Sequence, residues 1–251
     1  MIVIKSKNEL AQMRAAGLIV AQALDALRGQ VKPGVSTAEL DQFIHGFVTK
    51  RKAYPTFKGY RGFPASICAS INNEVVHGIP NKKRILQEGD IISIDVGATL
   101  NGFVGDSAMT YPVGKISAGA QRLIQVTEGA LWAAISQSRA GRYLEDISAA
   151  VQDYAEARGY SIVREYVGHG VGRTMHEEPQ IPNYRQGKRG PLLKPGMTLA
   201  IEPMINEGKW ETRVLRDKWT VVTKDGRLSA HFEHTVAITE GEPEILTRLD
   251  S

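Results

Sequence analysis

The chain has 251 residues, 42% of them hydrophobic, with 31 Lys and Arg against 27 Asp and Glu and a formal net charge of +4. That is enough to fill the core of one large domain without metal or disulfide staples, and the basic excess is too small to mark a nucleic-acid binder. The lone cysteine, Cys68, excludes an intramolecular disulfide and suits a reducing compartment.

The opening MIVIKSKNEL has no apolar core followed by a small-residue cleavage site, so no signal peptide is read. No apolar run approaches the roughly 20 residues of a membrane span, and the cytoplasm is the expected location. Leu10, Met13, Gly17, Val20, Leu24 and Leu27 recur at three- and four-residue steps, which predicts a helix from residue 7 to about 28, capped by Ser6. After VKPGVS, Ser36 and Glu39 form a capping box. Leu40, Phe43, Ile44 and Phe47 then give a second apolar stripe, closed by Lys50, Arg51 and Lys52. Residues 53 to 80, rich in Gly, Pro and aromatics, read as a loop with short strands at SICASI and NEVVHG. IISIDVGATL and GFVGDSAMTY form the clearest hairpin, turning at Asn101-Gly102. With that turn, Asp95 and Asp106 become diagonal neighbours on one face, unless a bulge intervenes. Residues 118–136 and 143–158 read as helices. SIVREYV, MTLAIEPMI and WTVVTKD read as strands, GHGVGR as a special glycine loop, and GRLSAHFEHTVAITEG as two short strands around a turn. The pattern predicts one α+β domain over residues 1–251, with helices outside a curved, mostly antiparallel sheet.

Five residues stand out chemically: Asp95, Asp106, His169, Glu202 and Glu233, the four acids lying in strand-like, apolar contexts. Burying like charges costs several kcal/mol or more unless something pairs with them. Four carboxylates and an imidazole suit a hard or borderline divalent ion, and two ions balance their charge better than one. An isolated Asp or Glu of this kind is more often capped or salt-bridged. The five share no short local motif, so residue chemistry alone leaves both readings open. His77 and His176 are each as readable as structural hydrogen-bonding histidines or as donors lining a cleft. GHGVGR lacks the dinucleotide spacing.

The stretches INNEVVHGIP, SIDVGATLNGFVGDSAMTYPVG, EYVGHGVGRTMHEEP, MTLAIEP and SAHFEHTVAIT resemble the short bacterial form of the type I methionine aminopeptidases over essentially the whole chain. The resemblance implies a pseudo-symmetric "pita-bread" α+β fold and a dinuclear centre of Co, Mn, Fe or Zn. Its ligands would be Asp95, Asp106, His169, Glu202 and Glu233, with Asp106 and Glu233 bridging. It implies that Glu202 shuttles the proton, that His77 lies near the scissile bond, and that His176 holds the carbonyl. It places the methionine side chain among Tyr60, Phe63, Cys68, Met175 and Trp219. It also implies a sodium or potassium ion at Asn72, Glu74 and Ser229. The expected activity is co-translational removal of the N-terminal methionine before a small second residue, by metal-activated water. The expected partners are nascent peptides with a free N-terminal Met and the ribosome surface, with no membrane and a monomeric chain. Phe57, Phe63, Met175 and His231 depart from residues common at those positions in the family.

Two other classes compete. A proline dipeptidase or aminopeptidase P shares the five ligands but usually carries an additional N-terminal domain. A metal-free relative that binds RNA or protein has usually lost ligands, and here all five stand. The basic segments Lys82–Arg84 and 184–190 read as solvated loops.

Overall fold

The computed structural model describes residues 1–249. Helix α1 spans Lys7–Leu27 and α2 spans Thr37–Lys50. Both begin in reciprocal capping boxes: Ser6 with Glu9, and Ser36 with Glu39, each serine oxygen accepting from the glutamate N–H while the carboxylate accepts from the serine N–H. Two of the unpaired donors at each helix start are thereby satisfied. Helices α3, Ala118–Gln137, and α4, Leu144–Glu156, form a second pair.

The predicted hairpin is formed by Ile91–Leu100 and Phe103–Pro112, with ten consecutive antiparallel pairs and no bulge. Asn101 and Gly102 both have positive φ, 51° and 77°, as the tight turn requires. Ile67–Ile71 and Tyr54–Pro55 flank Ile91–Leu100 to complete a four-stranded sheet. A five-stranded sheet holds, in order, Glu244–Ile245, His234–Ala237, Thr198–Ile201, Gly168–Gly170 and Glu177–Ile181. Two three-stranded sheets sit beside them, and every strand pairing is antiparallel.

Each half repeats one arrangement, two helices outside a sheet. Val20, Leu24 and Leu27 of α1 and Leu40, Ile44 and Val48 of α2 bury against Ile92, Ile94 and Val96. Leu123, Leu131 and Ile135 of α3 and Ile147 and Val151 of α4 bury against Leu199, Ile201 and Val236. Each such side chain contributes about 1.5–3 kcal/mol. Gly17 of α1 meets Gly105 of the hairpin, where a Cβ on Gly105 would collide with the Gly17 backbone, so the glycine predicted within the apolar stripe sets how closely helix and sheet approach. The α+β architecture with external helices is as the sequence predicts.

Several elements differ from expectation. MTLAIEPMI breaks at Glu202-Pro203 into Thr198–Ile201 and Met204–Asn206, and these join different sheets. Ser229–His231 and His234–Ala237 likewise diverge into two sheets rather than pairing with each other. Gly168–Gly170 is a strand, not a loop, and SIVREYV contributes only Ser161–Ile162. Arg84 stays in its loop, but its side chain is partly buried and pairs with Glu74.

Candidate metal centre

The two strand breaks build the site. Asp95 pairs with Ala108, and Asp106 with Gly97, so the two carboxylates are diagonal neighbours on one face of the hairpin. His234 pairs with Ile201, which sets Glu233 and Glu202, the preceding and following residues, opposite each other where both strands leave the ladder. The Glu233 N–H donates to Ala108 O at 2.9 Å, and Thr235 Oγ1 donates to Asp106 O at 2.8 Å. These bonds tie the second sheet to the hairpin at the acidic residues themselves. His169 enters from Gly168–Gly170, paired with Ala200. Neither flanking glycine has a positive φ; a Cβ on Gly168 would strike Ala200 O, and one on Gly170 would strike Glu178 O. Close strand approach, rather than special backbone conformation, is why glycine stands there.

The His169 Nε2 lies 3.7 Å from Asp106 Oδ2 and 3.5 Å from Glu202 Oε1. Ligand atoms of Asp106, His169 and Glu233 all lie within 4.8 Å of one another. His169 Nδ1 donates to Gly170 O at 2.9 Å, which leaves the Nε2 lone pair facing the carboxylates. Asp106 and Glu233 are each only 2% exposed, and Asp95 Oδ1, Asp106 Oδ1 and Glu233 Oε1 are buried without a hydrogen-bond partner. Burial first, and then neighbouring carboxylates, hold the carboxyls of Asp95, Asp106 and Glu233 well above the usual range. Burial alone pushes Glu202 up to about 8. Burial pulls His169 down to about 3, so it is neutral and free to ligate. Orphaned, mutually repelling oxygens beside an imidazole lone pair are what a divalent cation satisfies, and the residues fit one.

The rest of the cleft follows. One continuous cleft is lined by these five residues and by Tyr60, Phe63, Cys68, His77, Met175, His176 and Trp219, all expected there, together with Phe57 and Arg61. Phe63 meets Trp219 edge-on at 5.1 Å, and Cys68 is buried, its thiol held neutral chiefly by burial. His176 Nδ1 is 2.8 Å from the Tyr60 hydroxyl, and its ring centroid is 4.2 Å from that of His169. Burial, then the charge of Arg61, lowers its pKa. His77 sits at φ 60°, edge-on to Tyr166 at 5.7 Å and to Trp219 at 6.2 Å. Sequence reasoning named neither Arg61 nor Tyr166 for the site; the only signal for Arg61 was its place beside Tyr60 in the glycine-rich loop.

The residues expected around a monovalent cation, Asn72, Glu74 and Ser229, make the following contacts. Ser229 N–H donates to Asn72 O at 2.9 Å, which brings these two together through the backbone. The Asn72 amide bonds Asp90 and Ile91, and the Glu74 carboxylate accepts from Ile71 N–H and pairs with Arg84.

A model of metallopeptidase family M24 matches residues 11–240. A methionine aminopeptidase of Bacillus subtilis is 55% identical over 249 residues, covering 99% of this chain and 100% of that one. This chain belongs to the methionine aminopeptidase branch of metallopeptidase family M24. The crystal structure of methionine aminopeptidase from Thermotoga maritima superposes with a TM-score of 0.97 at 46% identity, covering 99% of this chain and 100% of that one. A Xaa-Pro dipeptidase from Bacillus anthracis shares the fold alone: 22% identity, a TM-score of 0.76, and 62% of its length spanned. Membership and the Asp106–His169–Glu233 cluster make the protein a metal-binding hydrolase, an exopeptidase of this family. No helix among the described residues is long and apolar enough to cross a membrane.

Proposed function

We propose that this enzyme removes an N-terminal methionine from peptides whose second residue is small. The observation that carries the reading is the meeting, in one cleft, of the carboxylate–imidazole cluster and an apolar, ring-lined pocket. Asp95, Asp106, His169, Glu202 and Glu233 would hold two divalent ions, Mn, Fe, Co or Zn, since four carboxylates exceed the charge of one. Bound there, such ions supply Lewis-acid polarisation of a carbonyl and a nucleophile at neutral pH.

The chain's own residues do the rest. Tyr60, Phe63, Cys68, Met175 and Trp219 accept an unbranched thioether, which lies well against ring edges. The acidic end of the cleft suits a positive α-amino group. The Tyr60 hydroxyl, donating to His176 Nδ1, keeps the proton of the neutral imidazole on Nε2. His176 then donates where negative charge grows on the carbonyl oxygen. Glu202, the carboxylate with 13% of its side chain open, accepts a proton and returns it to the leaving amine. His77, edge-on to Tyr166 and to Trp219 and held at a positive φ, forms a wall that favours a small second residue.

The test is kcat/KM over a Met-X-Ser-Lys panel with metal added, alongside N-formyl and X-Pro controls. Gly, Ala, Ser, Thr, Pro, Val and Cys should pass at X, and Leu, Phe, Lys and Arg should not. Equal rates for Ala and Arg would refute the rigid wall. Cleavage of the formylated peptide would refute the requirement for a free amine.

A further inference from the structure

His231 is a buried polar residue to which this reaction assigns no part. It is 2% exposed, and its Nε2 is buried without a hydrogen-bond partner. That nitrogen lies 3.5 Å from Glu202 Oε2, while His169 Nε2 lies 3.5 Å from Oε1 of the same carboxylate. Among the described residues, these two imidazoles are the only basic side chains in contact with Glu202.

The placement is built by the backbone. His231 N–H donates to Thr110 Oγ1 at 3.0 Å, and Thr110 Oγ1 donates to His231 O at 2.8 Å. His231 also pairs with Met204 in the ladder, two residues beyond Glu202. His231 is therefore held within a strand, and Glu202 in the two-residue break between Thr198–Ile201 and Met204–Asn206.

The two histidines cannot play the same part. His169 Nδ1 is committed to Gly170 O, so its Nε2 carries the lone pair and is free to ligate. With Glu202 ionised as a metal ligand, a lone pair on His231 Nε2 as well would set two electron-rich atoms against each other in a buried site, each without a partner.

We propose that His231 is a positioning residue that donates Nε2–H to Glu202 Oε2 and so fixes the carboxylate's orientation toward the metal site. The proposal rests on the reading of Glu202 as a metal ligand. Held from the Oε2 side, Glu202 keeps Oε1 turned toward His169. A ligand carboxylate without such a donor rotates among several orientations, and losing an outer donor of this kind costs about 10–100-fold in metal affinity or activity.

Calorimetric titration of the full-length apoprotein with Mn²⁺ is compared for wild type, His231→Gln and His231→Leu, with folding checked by circular dichroism. Glutamine keeps an N–H donor of similar reach; leucine fills the space without one. His231→Leu should bind Mn²⁺ about 10–100-fold more weakly and lose kcat with little change in KM, while His231→Gln should recover to within about threefold of wild type. Wild-type affinity in a folded His231→Leu variant would overturn the proposal, as would glutamine and leucine variants equally impaired. A wild-type protein that binds no divalent ion would instead overturn the reading of Glu202 as a ligand, and the proposal with it. A second measurement needs no leucine variant: nitrogen NMR of ¹⁵N-histidine-labelled, Zn²⁺-loaded wild type, with His231 assigned from the spectrum of His231→Gln. An Nε2–H tautomer at His231 supports the assignment; an Nδ1–H tautomer overturns it.

Discussion

Stripping divalent ions from this protein should make its stability fall as pH rises from 6.5 to 8, and restoring them should flatten or reverse that slope. The metal-free site holds four acidic groups whose folded carboxyls are all raised, Glu202 to about 8 and Asp95, Asp106 and Glu233 in the same direction. Between pH 6.5 and 8 the unfolded chain has these groups ionised, while the folded metal-free chain still binds protons. Stability is therefore lost with rising pH, by about 1.4 kcal/mol per pH unit for each proton by which the states differ. One proton over this window amounts to about 2 kcal/mol, or roughly 4–8 °C in Tm for a chain of this size. Below about pH 6.5 the histidines contribute in the opposite direction and offset the carboxyls. His77, His169, His231 and His234 are pulled down to about 4, 3, 4 and 4, so the unfolded chain takes up protons that the folded chain refuses. A bound cation takes the place of the protons, and its affinity rises with pH because the ligands must be deprotonated. At 100 times its Kd it adds about 2.7 kcal/mol. The assay is thermal unfolding by circular dichroism at pH 6.5, 7.2 and 8, in chelator and in excess Mn²⁺. A metal-free Tm that is flat or rises toward pH 8 would refute the account of the raised carboxyls.

Two substitutions test the geometry around this cluster. His176→Ala should lower kcat by roughly 100-fold or more while KM changes less, because one donor to a developing oxyanion is worth about 2.7–4 kcal/mol; a change confined to KM in steady-state assays would make His176 a ground-state binder. Gly170→Ala places a methyl group against the Glu178 carbonyl and must displace the strand that carries His169, so it should cost about 1–3 kcal/mol in denaturant unfolding and weaken Mn²⁺ binding in calorimetry. An unchanged midpoint and affinity would show that the two strands have room to spare.

The local features were legible because local physics fixes them. Ser6 and Ser36, each three residues ahead of a glutamate, marked where α1 and α2 begin, and both capping boxes form. The Asn101-Gly102 turn set the hairpin register, and with it the diagonal placement of Asp95 and Asp106, all within a dozen residues. The stretches quoted from INNEVVHGIP to SAHFEHTVAIT carried the family. Tertiary structure decided the rest. The sequence runs straight through Glu202 and Glu233 as though each lay inside a strand. Only the sheets show that both strands break there, because each chain leaves one sheet for another and so turns a carboxylate into the cleft. The glycines around His169 signalled a constraint but not its kind; steric room is a property of the neighbouring strands, Thr198–Ile201 and Glu177–Ile181, which the local sequence does not contain. The contact of His231 with Glu202 joins a strand residue to a strand break, and their register is set by pairing across the sheet. No periodicity encodes which of two nearby histidines offers a lone pair and which a proton. That depends on the partner of the other ring nitrogen, and the partner is placed only when the chain has closed on itself.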